Sequence, residues 1–339
     1  MPLRYNSFLA KILPAARQLG PLPATGLCAV LALAAGFYGA WSGEGGHALA
    51  AALATFSIFL FVMLLTASRG VKEQITASAG SAAGILLSLT LFLAYLIYVL
   101  GTNTFALPRV AAVLALIFVP LALAIAAERR PAGTWQDFVI VASVWVTVKF
   151  SSARWFWPYP GGKFSYAFTV LVMVNVGIAV FLLTRRLGSV GYSIEWGHRW
   201  GLYTAGSFLV FGCVAIPLGL ALHFLQFAPR WSSAASLPLV TVGILIFTAW
   251  PEEFLFRGLL QNILSQKSKS DLASWCIASV FFGLSHITNG HFPNWRYVLL
   301  ATLAGLFYGW AWRKTGSIFA SALVHALVDA TWHFLFRTL

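Results

Sequence analysis

Three short clusters in the last third of the 339-residue chain hold the residue types that can move a proton or meet a negative charge. Glu252, Glu253 and Arg257 lie together in GILIFTAWPEEFLFRGLLQNIL. His286 follows Phe282 by four residues in WCIASVFFGLSHITNGHF. His325, Asp329 and His333 recur every four residues in GSIFASALVHALVDATWHFLF. A carboxylate and a histidine can hold and deprotonate a water, and further donors can meet the oxyanion that forms when that water attacks a carbonyl. No Ser or Cys stands beside a plausible base, so direct attack by water is the preferred chemistry. The same side chains are good metal ligands. No His-Glu-x-x-His spacing occurs, so a metal would need three or four ligands from separate segments.

Spacing separates the roles. On a helix, Glu253 and Arg257 lie four apart on one face, with the glutamate on the favoured N-terminal side, and neutralise each other. Glu252 points about 100° away and has no partner in the local sequence, which makes it the candidate general base. Pro251 loosens the helix just before it. The plainer alternative is a structural ion pair beside one protonated glutamate. His286 alone reads as a satisfied core histidine, with Asn289 and His291 in a solvated loop after it. His325 and Asp329 share one helical stripe, and such a stripe in an apolar helix must face the protein interior or water. His333, nearer the end of that stretch, reads as interfacial. His47, His198 and His223 fall near the ends of apolar stretches and carry no assignment.

The surrounding elements belong in a bilayer. The chain is 60% apolar and 9% charged, against about 45–50% and about 25% in soluble domains. Its 29 Gly and 14 Trp suit membrane helices and membrane interfaces. A secreted enzyme, a cytosolic enzyme and a disordered scaffold are excluded. The net charge of +13 does not point to nucleic acid, because Lys and Arg are spread singly or in pairs with no basic run for phosphates. Cys28, Cys213 and Cys276 are far apart in apolar stretches, and read as buried free thiols rather than a disulfide framework or metal site.

A spanning helix needs about 20 mostly apolar residues. Eleven candidates are present, at roughly 22–41, 47–68, 76–101, 108–128, 134–150, 163–185, 201–225, 238–264, 272–290, 296–312 and 315–336. The fifth is short and carries Asp137 near its start. The first reads as a retained helix, since Tyr38-Gly39-Ala40 is a poor match to a signal-peptide cleavage site. Residues 151–163, SSARWFWPYPGGK, read as an interfacial loop through Trp155, Trp157 and Tyr159. Numbering the loops alternately puts fourteen Lys and Arg on the N-terminal side and seven on the other, leaving only Arg257 inside a span. The positive-inside rule then places the N-terminus in the cytoplasm and the C-terminus outside. The expected fold is therefore all-α, a polytopic transmembrane helical bundle of about eleven spans. Residues 1–200 form about six N-terminal helices, and 201–339 form the part that carries the chemistry.

At the three clusters the sequence resembles the CAAX protease and bacteriocin-processing (CPBP) family of intramembrane glutamic endopeptidases, which includes the type II CAAX prenyl endopeptidase. The family's Glu-Glu-x-x-x-Arg is matched by Glu252, Glu253 and Arg257, with Phe-Arg-Gly around the arginine. Its Phe-x-x-x-His is matched by Phe282 and His286. Its His-x-x-x-Asn or Asp is matched by His325 and Asp329. The resemblance covers roughly 201–339 and is sharpest in 245–335. It implies that Glu252 and His286 activate water, that His325 and Asp329 line the oxyanion hole, and that Glu253 and Arg257 hold the helix and tune Glu252. It implies no cofactor and no metal. Two features depart from the best-known members. Asp329 stands where the prenyl endopeptidase has Asn, and an ionised Asp cannot donate to an oxyanion; it must be protonated or must orient His325. About seven spans precede the catalytic ones, in place of about eight spans in total.

The expected function is an intramembrane endopeptidase acting on a membrane-associated protein or peptide, with or without a lipid, in a bacterial inner (cytoplasmic) membrane. Its partners are membrane lipid and that substrate; nucleic acid is not expected. The runner-up is a non-catalytic scaffold, such as an immunity or partner-binding protein. A proton-coupled transporter fits less well, because transporters usually carry paired repeats and here the polar residues cluster in one third of the chain.

Overall fold

The computed structural model describes residues 21–80, 82–150, 152–194 and 196–339. Arg4, Lys11 and Arg17, which the loop count includes, lie outside the described residues. A helix stands at each of the eleven apolar stretches. The first part holds α1 (Pro21–Trp41), α2 (Gly46–Thr66), the more polar α3 (Arg69–Ala79), α4 (Ala82–Gly101), α5 (Leu107–Ala127) and α6 (Trp135–Phe150). The short α7 (Ala153–Phe156) follows, then α8 over 162–184. The second part holds α9 (Trp200–Ala221), α10 over 237–268, α11 (Asp271–Leu284), α12 (Trp295–Thr315) and α13 (Ile318–Leu335). Strands β1 (Leu225–Phe227) and β2 (Phe336–Thr338) pair antiparallel and join the far ends of α9 and α13.

Among the described residues, eight helices are long and apolar enough to cross a membrane, so the protein is a helical membrane bundle. Of the remaining stretches, α6 has 16 residues and α11 has 14, while α12 carries Arg296, Arg313 and Lys314 in its end turns. Large apolar side chains such as Leu93, Leu202, Leu209 and Leu239 lie exposed on the outside of the bundle. This is expected where hydrocarbon replaces water as the solvent. The same surface corrects the cysteine expectation: Cys28 is buried in protein, but Cys213 and Cys276 lie on the outside. An apolar neighbourhood in sequence does not separate burial in protein from burial in lipid.

The turns fall into two groups at opposite ends, and their contacts join only turns of the same group. At the first end, Ile194 N–H donates to Ala67 O (3.3 Å), Asn262 Nδ2 to Gly188 O (2.8 Å) and Ile318 N–H to Gly191 O (3.0 Å). Arg185 at the end of α8 closes a buried ion pair with Asp137 at the start of α6, with Nε–Oδ1 and Nη2–Oδ2 both 2.9 Å. The backbone N–H groups of Gly133 and Thr134 also donate to Asp137 Oδ2. At the second end, Tyr98 Oη donates to Tyr159 O (2.7 Å), Arg109 Nε to Trp155 O (2.6 Å) and Arg296 Nη1 to His223 O (3.5 Å). Consecutive apolar helices thus run alternately between the two ends.

The aromatic loop at the second end differs from the expectation. Trp155 is exposed, but Trp157 is fully buried. It stacks on Phe168 (4.8 Å, 16°) and takes edge contacts from Phe59, Tyr95 and Tyr98. The tryptophan anchors the loop in the N-terminal helices rather than resting at a membrane surface.

Local sequence sets the geometry of the last helices. Ser270 caps α11, Asn294 caps α12 and Ser317 caps α13 by accepting from backbone N–H groups of the first turn. Gly316, at φ +67°, ends α12 in the left-handed conformation and lets α13 start at Ile318, two residues later. Helices α11 and α12 approach closely because small residues face each other. A Cβ on Gly283 would lie 2.7 Å from Val298 O, and one on Gly305 would lie 3.0 Å from Ser279 Cα.

Candidate active site

Helix α10 carries Glu252 and Glu253 in a short regular turn flanked by wide π-helical turns at Leu245–Ala249 and Phe254–Gln261. Such turns are rare and frequent at functional sites. The two adjacent glutamates part company here. Glu252 is 30% exposed and lines a cavity of about 230 Å³. Glu253 and Arg257 are 0% exposed, with Arg257 Nε 3.1 Å from Glu253 Oε2. The guanidinium carbon of Arg257 also lies 4.9 Å from the ring centre of Phe282. The pairing expected from spacing is present, and Glu252 stands outside it.

His325 joins the two layers. Its Nδ1 lies 3.0 Å from Glu253 Oε1, and its Nε2 lies 3.4 Å from Asp329 Oδ2 and 4.0 Å from Glu252 Oε2. A carboxylate only accepts, so Nδ1 carries a hydrogen and Nε2 is the atom turned towards Glu252 and Asp329. The ring is clamped by Tyr308, stacked at 4.6 Å and 17°, and by the edge of Phe282. Ser321, one turn earlier on α13, donates to Glu253 Oε2 at 2.6 Å. Asp329 is 33% exposed in the same cavity as Glu252.

His286 is in the turn just after α11, and its N–H closes on Gly283 O. Its Nδ1 lies 2.8 Å from Phe282 O. A carbonyl oxygen accepts, so Nδ1 carries the hydrogen and Nε2 is left with a lone pair. The ring packs between Phe282 and Tyr297, at 4.9 and 4.8 Å between centres, and lines the same cavity. Glu252, His286, His325 and Asp329, from three segments, therefore share one space. His333 does not: it is paired with Arg230 at the second end. His291 is exposed in the turn. Among the described residues, no group of three or more His, Cys, Asp and Glu is arranged to hold a metal ion.

Residues 234–331 match the family described as Type II CAAX prenyl endopeptidase Rce1-like. The match covers most of the last third of the chain. No curated protein matches the chain, and neither does any solved structure. The Rce1-like family is one of proteases, which supports peptidase activity for a chain whose matched part lies among membrane-type helices. All four cavity residues and the buried Glu253–Arg257 pair fall inside the matched stretch.

The Rce1-like stretch does not form the surroundings alone. A second cavity of about 310 Å³ lies between α6, α8 and α10, and Glu252, His286 and Asn289 line both cavities. Tyr166 and Lys149 from the first part of the chain line it as well. Lys149 Nζ donates to Asn289 Oδ1 in the turn that holds His286. Lys149 counted only as a loop charge in the sequence, and nothing local to it signals this contact 140 residues away. Ser321 and Tyr308 were equally invisible, since a serine and a tyrosine in apolar helices are usually core. Asn289, read as loop, is a ligand of both Lys149 and Asn294.

Proposed function

We propose that the chain is an intramembrane endopeptidase that hydrolyses a peptide bond of a membrane-associated protein or peptide with water activated at Glu252. The observation that carries this reading is the division of the two glutamates: Glu252 reaches the cavity that His286 lines, while Glu253 is sealed beneath it against His325 and Arg257. A base must reach the water, and a positioning carboxylate need not.

In the proposed reaction, a water held between the Glu252 carboxylate and His286 Nε2 gives its proton to Glu252 and attacks the peptide carbonyl. His325 Nε2 donates to the oxyanion, with the ring fixed by Glu253 at Nδ1. Asp329 accepts from or orients His325, the role left to an aspartate that cannot donate while ionised. Glu252 then returns its proton to the leaving nitrogen as the C–N bond breaks. One peptide and one water become one carboxylate terminus and one amine terminus. Residues 1–200 supply helices around this core and, through Lys149 and Tyr166, part of its wall.

The test is a comparison of protein N-termini in membranes of cells carrying the wild-type chain or Glu252→Gln. New N-termini that vanish with Glu252→Gln, while the variant accumulates to the wild-type level, support the reading. Identical sets of termini would sink it and favour a binding role.

A further inference from the structure

The catalytic cavities belong to one end of the bundle. Cavity residues Leu225 and Phe336 come from the β1–β2 pair, and Tyr297 from the first turn of α12. Lys149 in the last turn of α6 and Tyr166 in the first turns of α8 line the second cavity. Each of these elements is at the second end, where Lys149 meets Asn289 and Arg296 meets His223. Towards the first end the site is closed. Glu253, Arg257, Phe282 and Tyr308, all fully buried or nearly so, fill the space beneath it. The first end has its own recess, about 1750 Å³, lined by Arg69, Arg186, Arg313 and Lys314. None of Glu252, His286, His325 and Asp329 reaches it.

The two ends differ in charge. Arg69, Lys72, Arg129, Arg130, Arg185, Arg186, Arg199, Lys267, Lys269, Arg313 and Lys314 are at or beside first-end turns. Arg109, Lys149, Arg154, Lys163, Arg230, Arg296 and Arg337 are at the second. Helix α1 ends at the second end, where Tyr38 meets Phe164, so it starts at the first. Arg4, Lys11 and Arg17 precede that start in sequence. Lys and Arg near short loops are retained on the cytoplasmic side. The basic first end is then cytoplasmic, and the end with the cavities is not.

We propose that the site opens to the extracytoplasmic face, and that its substrate is a membrane-anchored polypeptide whose apolar, surface-proximal segment lies on that face. A reaction that inserts or translocates the polypeptide must come first, and a C-terminus left and modified in the cytoplasm is not the substrate. The lining fits an apolar segment: Phe211, Tyr297, Leu300 and Trp332 surround the carboxylates. The word substrate rests on the proteolytic reading above, but the sidedness does not.

The test reads the two apart, because it needs no activity. Single cysteines are placed in the full chain after Cys28, Cys213 and Cys276 are replaced by Ser. His291→Cys is in the exposed turn beside the site, Thr331→Cys lines the cavity, and Ser268→Cys is in an exposed first-end turn. Ser42→Cys, in the second-end turn between α1 and α2, keeps the result readable should a variant near the site fail to fold. Intact cells are treated with a membrane-impermeant maleimide. The expected result is labelling of Ser42→Cys, His291→Cys and Thr331→Cys in intact cells, and of Ser268→Cys only after permeabilisation. Labelling of Ser268→Cys in intact cells, or of the second-end cysteines only after permeabilisation, overturns the proposal. If the labelling is as expected but wild type and Glu252→Gln membranes share all N-termini, proteolysis fails and the sidedness stands.

Discussion

Nδ1 of His325 lies 3.0 Å from Oε1 of Glu253, the fully buried glutamate that lines neither cavity at the site. A motif of two adjacent glutamates thus divides its labour across the depth of the site. One faces the cavity, and the other fixes the ring whose far nitrogen faces the cavity.

The first prediction separates these roles. Glu252→Gln should lower cleavage by at least about a hundredfold, the lower range for loss of a general base. Its melting temperature in detergent should stay near the wild-type value, because the side chain is partly exposed and its approach to His325, at 4.0 Å, is long. Glu253→Gln should lose activity and also stability, by about 3–5 kcal/mol, because Arg257 is left buried without its charge partner. Thermal unfolding of both purified variants decides this, and equal melting temperatures would contradict the division.

Asp329 offers a second comparison. If it orients His325 by accepting, Asp329→Asn keeps the shape and can present either its oxygen or its NH2 group. Activity should stay within about tenfold of wild type. Asp329→Ala, which removes both, should fall by more. Steady-state kinetics on one cleaved peptide give the ranking, and an Asn variant as poor as the Ala variant would show that the charge itself is needed.

The buried clamp between Asp137 and Arg185 lies far from the chemistry and should report on folding alone. Asp137→Ala leaves the guanidinium on the carbonyls of Ala127, Arg130 and Pro131 without a countercharge and should cost about 3–5 kcal/mol. Replacing both partners by apolar residues of similar size should recover much of that loss. Melting temperatures of the single and double variants are the measurement.

Gly305→Ala tests the contact of α11 and α12. The added Cβ would meet Ser279 Cα, Cβ and O at 3.0–3.1 Å. Overpacking of this kind costs about 1–3 kcal/mol. A lower melting temperature is expected, and an unchanged one would mean that the two helices can separate without loss.

Much of this arrangement was legible in the residues. Apolar runs located the long apolar helices, because a bilayer demands about 20 apolar residues whatever the tertiary fold, but not the polar α3 or the short α7. The pairing of Glu253 with Arg257 followed from a spacing of four. What stayed hidden were contacts between segments distant in sequence. In the sequence Arg185 reads as a loop charge and Asp137 as a weakness of its span, yet each is the other's partner. Glu253 was given to Arg257 alone, because nothing in a periodic reading brings α13 to it. Trp157 was assigned to the membrane surface by its residue type, and only packing against Phe168 and Tyr95 tells otherwise.

The close contact of α11 and α12 has a mechanical side. Where the two backbones meet at Gly283 and Gly305 there is little between them to compress, and Trp275 pins the far part of the contact through Leu306 O, so the pair must shift as a single plank. Phe282, His286, Tyr297 and Tyr308 all ride on it, so half of the cavity wall is stiff by construction. Any widening of the cavity falls to the neighbours of that plank, among them α9, which leans on the cavity through Phe208, Phe211 and Ala215 and turns its other side to the lipid.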